Sequence, residues 1–414
     1  MDLPYEIRDP IYGFIYFNDW EKEIIDHPLF QRLRRVKQNA LTDFIYPGMD
    51  HTRFEHSIGV MKLADDMFNT IRDDKRSNKI LSEWGFSNAG LDRARHLIRL
   101  ASLLHDIGHA PFSHASEKIM HTNTKTGKKF KHEYYTGKLI EEKFKKTIEG
   151  HKMNRGIDIK VEDISSFFNG IVPTKNLFWK EIISSQLDAD RGDYLQRDSY
   201  HGGVKYGVYD LDRLINTLAL GIDPEVEEPI LGLKEEGWQV AESFILARYK
   251  MFSQVYFHKT RRAYDKMLQE AIIHTIGELP DPSNLEEYIS LDDYKIWNMM
   301  HEDETNEWFK SIIKRDHIRK VLTSNNEEEQ KELENVIDVL NDEKIWYWKD
   351  DLETYWYDQD MEKEIMLIGK DGDLTLLSNK SNIINNLEPF NKNRLYVKPS
   401  DRDKVNKIID DVVK

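Results

Sequence analysis

The spacing of apolar residues divides the chain into segments of different secondary structure. Residues 10–17 (PIYGFIYF) alternate and are rich in aromatic side chains, which predicts a short pair of strands. From Asp19 onward apolar residues recur three and four positions apart, which is typical of helices that each bury one face. Clear examples are residues 56–72, 91–106, 134–144 and 211–220. The pattern predicts a mainly α fold that begins with a short β pair.

The pattern changes again near Ile365. The segments EIMLIG, DLTLLS and RLYVKP are short and β-prone, with a turn at Lys370-Asp371-Gly372, and an amphipathic helix is predicted from Asp401. We expect a small α+β appendage there. Because no linker separates it from the helical part, we place a soft boundary near Pro280, between a core of residues 1–280 and a C-terminal region of residues 281–414.

Two polar stretches are expected to lie in solvent without a chemical role. Residues 121–130 (HTNTKTGKKF) are basic and predict an exposed loop, whereas residues 325–334 are acidic and predict the solvated face of a helix.

Charge and composition exclude several classes of protein. The net charge of −15 opposes a main role in coating nucleic acid or an anionic membrane. The chain has no cysteine, so it forms no disulfide and any metal must be held by His, Asp or Glu. No segment approaches the roughly 20 apolar residues that span a bilayer, and no export signal is visible. We therefore expect a cytoplasmic protein.

Three separated segments contain the residues that a metal site needs, HTRFEH (51–56), LLHDIGHAPFSH (103–114) and SQLDADRGDYLQRDS (185–199). His105 and Asp106 are adjacent at the end of an apolar run, where both can turn toward a cleft. With His56 and Asp190 they form a His, His, Asp, Asp set that suits Mn, Fe, Mg, Zn or Ni and leaves positions open for water and phosphate. A lone His-Asp pair would be typical of an ordinary helix end.

The residues that flank this pair strengthen the prediction of a site. His109 lies four residues after His105, on the same face if the helix continues, and His114 follows a turn that contains Pro111. Both imidazoles suit proton transfer or phosphate contact, although each also fits a purely structural histidine.

Together these segments resemble the HD superfamily, and in particular its branch of deoxynucleoside triphosphate (dNTP) triphosphohydrolases, over about residues 5–265. The resemblance implies an HD-domain helical core and the same four metal ligands. It also implies that His114 contacts the α-phosphate and that His109 with His132 activates water or the leaving group. Asp198 is expected to orient a histidine of this group.

Substrate contacts are predicted partly from charge and partly from the resemblance. Cations inside or beside the motifs would meet the phosphates, Tyr194 and Tyr256 would contact the sugar, and Gln38 would contact its 3′-hydroxyl. The predicted set is Gln38, Arg53, Arg191, Tyr194, Lys205, Arg248, Tyr256 and Lys259. Residues 247–259 also fit an amphipathic core helix with snorkelling cations. Departures from the family pattern at Asn39, Phe252 and Phe257 leave base preference open.

A regulatory site is implied by the segment DHPLFQRLR (26–34). It resembles the family's segment for an activating guanine nucleotide, with Asp26, Gln31 and Arg34 as contacts and Arg315 as a further phosphate ligand. The same residues also fit an amphipathic helix that buries Phe30. The resemblance favours a homodimer or homotetramer.

The function predicted from the sequence is metal-dependent hydrolysis of dNTPs to deoxynucleoside and inorganic triphosphate. Activation by a nucleotide is a further hypothesis. One alternative is another HD phosphohydrolase, either a nucleotidase or a phosphodiesterase. A second alternative is a nucleotide-sensing module, which the complete ligand set opposes.

Overall fold

The predicted β pair opens the fold. In the computed structural model, which describes residues 1–169, 172, 177–354, 364–388 and 390–413, β1 (Tyr5–Asp9) pairs antiparallel with β2 (Gly13–Phe17). Asp9 Oδ1 accepts hydrogen bonds from the amides of Ile11 and Tyr12 and closes the turn. The first strand therefore lies before the predicted segment of residues 10–17, which contributes the turn and the second strand.

Helices follow, as predicted, and they build the core. Those of the first half are α1 (Asp19–Ile25), α2 (Pro28–Gln31), α3 (Arg53–Asp73), α4 (Lys75–Glu83), α5 (Asn88–Leu104), α6 (His132–Lys143), α7 (Lys145–Glu149), α8 (Val161–Asn169), α9 (Leu177–Ile183) and α10 (Ala189–Gly202). The long helix α3 packs against both α5 and α10. Because this helix is buried on most of its circumference, side chains from its first turn can reach an interior site.

The second half continues with helices of mixed length. They are α11 (Leu211–Asn216), α12 (Trp238–Met251), α13 (Lys259–Ile276), α14 (Leu285–Ser290), α15 (Asp293–Glu302), α16 (Glu307–Ile313), α17 (Glu327–Asp342), α18 (Leu377–Lys380), α19 (Asn382–Asn385) and α20 (Arg402–Val412). A π-helical turn, Phe252–Tyr256, joins α12 to α13. The acidic segment lies in α17 and the terminal helix in α20, both as predicted.

A four-stranded sheet contains the main departure from the predicted helices. Its strands are β3 (Leu218–Ile222), β4 (Pro229–Lys234), β7 (Met366–Ile368) and β8 (Leu374–Leu376), in the order β3-β4-β7-β8. The predicted helix over residues 211–220 is wrong after Asn216, because Leu218 to Gly221 are buried in β3. A short apolar run buried on both faces fits a strand as well as a helix, so periodicity cannot separate them.

The β-prone C-terminal segments form sheets as predicted. β5 (Arg319–Ser324), β6 (Tyr347–Thr354) and β9 (Phe390–Val397) make a second sheet in the order β5-β9-β6, which packs with α17 and α20 around a small core of its own. Of these three strands, the sequence predicted only β9, from RLYVKP. β7 pairs parallel with β4, so one sheet contains strands from both sides of position 280. The boundary near that position stays a prediction.

Among the described helices, none is both long and apolar enough to cross a bilayer.

Candidate metal centre and active site

The first turn of α3 delivers His56 to the interior. A capping box between Thr52 and Glu55 starts the helix. The His56 ring is fully buried, and its Nδ1 lies 2.7 Å from Asp193 Oδ2. Asp193 is in turn paired with Arg197 at 2.9 Å. A carboxylate behind the ring fixes the tautomer in which Nδ1 carries the proton and Nε2 is free to bind a metal.

The end of α5 presents the next two side chains. His105 is the C-terminal cap of the helix, and its Nδ1 lies 2.7 Å from the carbonyl oxygen of Ser102, to which it donates. This contact again leaves Nε2 free. Asp106 follows immediately, and its Oδ1 lies 3.2 Å from His105 Nε2.

Helix α10 supplies Asp190 from the opposite side. Asp188 caps this helix by accepting a hydrogen bond from the Arg191 amide at 2.7 Å, which puts Asp190 in the first turn. Asp190 Oδ1 lies 3.0 Å from His56 Nε2 and 3.9 Å from His105 Nε2. Its side chain is 38% exposed, so the group opens to solvent on this side.

The four side chains converge at distances that suit a metal ion. His56 Nε2 and His105 Nε2 are 3.3 Å apart, and Asp106 Oδ2 lies 3.6 Å from His56 Nε2. Ligand atoms of His56, His105 and Asp190 all lie within 4.8 Å of one another. Imidazole nitrogens with carboxylate oxygens are the donors that borderline divalent metals prefer, so the residues present fit the expected cofactor.

The electrostatics of the group also favour a cation. Burial disfavours the charged form of His56, but the carboxylates of Asp190 and Asp193 outweigh it and raise the pKa of His56 to about 10. Burial likewise disfavours ionised Asp190, yet His56 and His105 lower the pKa of Asp190 to about 2. The protein alone therefore holds a proton where a metal ion would supply the positive charge.

A cluster of three histidines lies beside this group. His109 is buried, with Nε2 3.3 Å from Asp106 Oδ1, and its ring stacks on His132 with centroids 3.7 Å apart. Burial, with Arg53 and His132 nearby, holds the pKa of His109 well below its usual range. His114 lies 5.1 Å from the His109 ring and is exposed.

Glu117 joins two of these rings and was missed in the sequence. Its Oε1 lies 2.9 Å from His114 Nδ1 and 3.2 Å from His132 Nδ1. Burial opposes ionisation of Glu117, but the two imidazoles hold its pKa well below its usual range. The available signal was its position three residues after His114, which faces the same way in the helical turn Ser113–Ile119.

Three of the four metal-binding candidates, His105, Asp106 and Asp190, line a cleft of about 680 Å³, here called the metal cleft, and His56 lies buried behind them. An adjoining space of about 390 Å³, the side cavity, is walled by Phe252, Tyr256 and Phe257 with Asn39 and Asp198. Gln38, His114 and Tyr194 line both spaces. The metal cleft and the aromatic-walled side cavity therefore adjoin at these three residues.

Comparison with known proteins shows the family of the chain. The sequence profile of the HD domain matches residues 53–198, and that of the HD associated region matches residues 209–345. The chain belongs to the HD-domain superfamily. The HD profile covers all four metal-binding candidates and the histidine cluster.

Among curated relatives of this HD protein, an uncharacterized protein of Methanocaldococcus jannaschii is 37% identical over 273 residues, which cover 66% of this chain and 50% of that protein. Deoxynucleoside triphosphate triphosphohydrolase SAMHD1 homolog of Dictyostelium discoideum is 31% identical, with coverage of 69% and 53%, and mouse SAMHD1 is 30% identical, with coverage of 71% and 45%. The chain spans about half the length of these curated relatives.

Solved structures resemble the whole chain. A hypothetical protein from Aquifex aeolicus superposes with a TM-score of 0.81 at 28% identity, covering 98% of this chain and 99% of that one. A phosphohydrolase from Bacteroides thetaiotaomicron has a TM-score of 0.71 at 27% identity, covering 95% and 99%.

Within the HD protein, Asp198 has a different partner from the one expected. It contacts none of His109, His114 and His132 in the described hydrogen bonds. Instead its carboxylate lies 2.7 Å from His51 Nε2 and accepts hydrogen bonds from the Tyr256 hydroxyl at 2.6 Å and the Asn39 amide at 2.9 Å. Asp198 therefore organises the side cavity, because α10 carries it two turns beyond Asp190.

The predicted substrate residues divide into two groups. Gln38, Arg53, Arg191 and Tyr194 line the metal cleft, and Tyr256 lines the side cavity. Neither space is lined by the other three residues of the predicted set, Lys205, Arg248 and Lys259.

The positions of these three side chains explain the difference. Lys205 lies exposed after α10, and Lys259 is the exposed first residue of α13. Arg248 bonds Gln186 Oε1 at 3.2 Å and packs over the Phe252 ring, so it contacts the wall of the side cavity without lining it.

The basic loop of residues 121–130 is part of the site, which corrects the expectation of a loop without a role. Asn123, Lys129 and Phe130 line the metal cleft, followed by Lys131. Lys180 of α9 adds another cation to the wall. Outside the cleft, Lys129 also pairs with Glu278, which follows α13.

The predicted regulatory residues lie in local contacts. Gln31 receives a hydrogen bond from Arg34 Nε at 2.8 Å, and the Arg34 guanidinium stacks 3.4 Å over Phe54. Asp26 pairs with Lys22, and Arg315 donates to the Phe44 carbonyl at 3.0 Å. The structure brings Gln31 and Arg34 together, and a regulatory role for these four residues stays a prediction.

Proposed function

We propose that this HD protein hydrolyses dNTPs to a deoxynucleoside and inorganic triphosphate. The observation that carries the proposal is the junction of the metal cleft with the side cavity at Gln38, His114 and Tyr194. A phosphate chain beside the metal candidates would continue directly into a cavity with aromatic walls. Relatives that carry the name deoxynucleoside triphosphate triphosphohydrolase support the same substrate class.

Cations in the metal cleft suit a polyphosphate. Arg53 is held by Asp106 Oδ2 at 2.5 Å and by Ser113 Oγ at 2.7 Å, while its Nη2 has no hydrogen-bond partner among the described residues. This fixed guanidinium retains donors for a phosphate oxygen. Arg191 and Lys180 line the same wall and would share the remaining charge.

The side cavity suits a nucleoside. Tyr194 and Tyr256 meet edge to face, with ring centroids 6.2 Å apart, and Phe252 packs on Tyr256. Such rings offer flat surfaces for a sugar and a base. The Gln38 side-chain oxygen has no hydrogen-bond partner among the described residues, so we assign it to a sugar hydroxyl.

The proposed reaction transfers water to the α-phosphorus. A bound divalent metal supplies Lewis-acid activation of water and phosphate at such a site. Arg53 stabilises the charge that develops on the phosphate oxygens. As water attacks, it gives a proton to the cluster of His109, His114 and His132, in which Glu117 orients two of the rings. The bond between the α-phosphorus and the 5′-oxygen breaks, and the 5′-oxygen takes a proton back from this cluster.

Product analysis tests the proposal. The purified protein is incubated with Mn²⁺ and each of the four dNTPs, with and without GTP, and the products are separated by ion-exchange chromatography. We expect deoxynucleoside and triphosphate, lost in His105→Ala and retained in His274→Ala, a control at an exposed histidine of α13. Dependence on GTP would support nucleotide activation.

Two other outcomes would contradict the proposal. Deoxynucleoside monophosphate would identify a nucleotidase or phosphodiesterase of the same superfamily. Intact dNTPs in every mixture, with the metal bound, would favour the nucleotide-sensing module.

A further inference from the structure

The turn that carries His109 and His114 has an unusual backbone. Phe112 and Ser113 are consecutive non-glycine residues with φ of 58° and 55°. Side chains with a Cβ rarely adopt this left-handed conformation, and two in succession persist only where surrounding contacts hold them. The contacts that hold this turn therefore decide where His114 lies.

One buried carboxylate from α15 reaches this turn. Asp293 Oδ1 accepts a hydrogen bond from the Phe112 amide at 2.7 Å, and Asp293 Oδ2 accepts one from the Lys37 amide at 2.9 Å. The residue is 6% exposed. Each carboxylate oxygen thus takes one amide, from two segments that are far apart in the sequence.

The two segments that Asp293 joins both enter the active site. Lys37 precedes Gln38, which lines the metal cleft and the side cavity, and Phe112 lies two residues before His114, which also lines both. Ser113 Oγ donates to the Lys37 carbonyl at 2.5 Å and links the same segments directly. A shift at Asp293 would move both walls of the junction.

Neighbouring residues fasten the rest of the turn to the same part of the fold. The Tyr288 hydroxyl of α14 donates to the Gly108 carbonyl at 2.7 Å. Arg32 donates to the carbonyls of His109 at 3.0 Å and Leu291 at 2.8 Å. Helices α14 and α15 therefore support the backbone on both sides of His109.

We infer that Asp293 is a positioning residue. It holds the His114 turn and the Gln38 segment in the relative positions that hydrolysis requires. The inference rests on the proposed function for its catalytic consequence. It assigns a role at the active site to a residue outside the HD profile, in the HD associated region.

The variant Asp293→Asn tests the inference with almost no change in shape. Asparagine keeps one acceptor oxygen, whereas its NH₂ group would face a second amide donor. We expect kcat for dNTP hydrolysis to fall about 10- to 100-fold because small displacements of reacting groups have effects of that size. Metal content should stay at the wild-type level, because Asp293 contacts none of the four metal candidates.

Hydrogen exchange provides a second readout that does not require activity. In Asp293→Asn, amide exchange measured by mass spectrometry should accelerate at least about tenfold in peptides over residues 107–116 and 34–40. The matched control is Asp292→Asn, which keeps the helix cap to the Lys295 amide and changes only the pair with Arg35. The control should stay within about twofold of wild type in both readouts.

The outcomes separate this inference from the proposed function. A folded Asp293→Asn protein with wild-type exchange and kcat would overturn it. If that variant fails to fold, hydrogen exchange of the wild-type protein decides, because both amides that donate to Asp293 should be protected. Exchange of the Phe112 and Lys37 amides as fast as in an unstructured peptide would overturn the inference. A third outcome combines accelerated exchange in Asp293→Asn with no dNTP hydrolysis by the wild-type protein. It would support the positioning role of Asp293 and reject the proposed reaction.

Discussion

The metal candidates and the side cavity are built in different ways. Each metal-binding side chain lies at a helix end or first turn and is oriented by a neighbour, such as Asp193 behind His56 or the Ser102 carbonyl behind His105. The side cavity instead depends on Asp198, which joins His51, Asn39 and Tyr256 from three other segments. Local structure places each metal-binding side chain at its helix end, although Asp193 reaches His56 across 137 positions. The side cavity has no such local framework and depends on long-range contacts throughout.

This difference predicts a division of labour between chemistry and recognition. Damage to the metal candidates should abolish turnover, because an open hydrolytic site needs its complete ligand set. Damage to the side cavity should mainly weaken substrate binding, because its residues contact the part of the substrate that does not react.

The largest effect is expected from a metal-binding residue. His56→Ala should lower kcat/KM more than about 1000-fold and reduce bound metal, because an open hydrolytic site needs its complete ligand set. Metal content by mass spectrometry and rates with Mn²⁺ check this, with His274→Ala as the control. If the His56→Ala protein has lost its metal and still shows wild-type activity, the role assigned to the metal candidates is wrong.

The second effect concerns pH. His56 has a raised pKa of about 10, so the metal-free protein is protonated there at neutral pH, and metal binding must release that proton. Apparent Mn²⁺ affinity should therefore rise about tenfold per unit between pH 6 and pH 8, with about one proton released. Calorimetry in buffers of different ionisation enthalpy measures both quantities. A pH-independent affinity without proton release would contradict the described electrostatics.

A smaller effect is expected at Glu117. Glu117→Gln should lower kcat about 10- to 100-fold at unchanged metal content, because the amide no longer fixes the tautomers of His114 and His132 as a carboxylate does. Glu142→Gln, at an exposed position of α6, is the control. Loss of metal together with activity would instead place Glu117 in the metal group.

The smallest effect is expected in the side cavity. Tyr256→Phe removes the hydrogen bond to Asp198 but keeps the ring, so KM for dNTP should rise about two- to tenfold with little change in kcat. Steady-state kinetics measure kcat and KM separately, and Tyr200→Phe, at an exposed tyrosine, is the control. A fall in kcat at constant KM would show that the cavity takes part in the chemistry.

The sequence predicted the helical core and the metal candidates because their signals are local. His105-Asp106 stands at the end of an apolar run, and each ligand is a residue type, His or Asp, that commonly binds metals. The β3 strand was misread because its apolar run is short. Lys205 and Lys259 were assigned to phosphate by charge, and the structure leaves both in solvent.

Partners that are remote in the chain were beyond sequence reasoning. Asp198 bonds His51 across 147 positions, and Asp293 bonds Lys37 across 256. No periodicity or spacing links such residues, because their proximity results from packing of the whole core. Glu117 was within reach, since only three residues separate it from His114.

Isotope transfer tests the central claim most directly. A dNTP is hydrolysed with Mn²⁺ in ¹⁸O-labelled water, and the products are weighed by mass spectrometry. Attack of water on the α-phosphorus with departure of the 5′-oxygen predicts one ¹⁸O in the triphosphate and none in the deoxynucleoside. Label in the deoxynucleoside would mean attack at the 5′-carbon, and labelled monophosphate would mean loss of pyrophosphate; either result would contradict the proposed reaction.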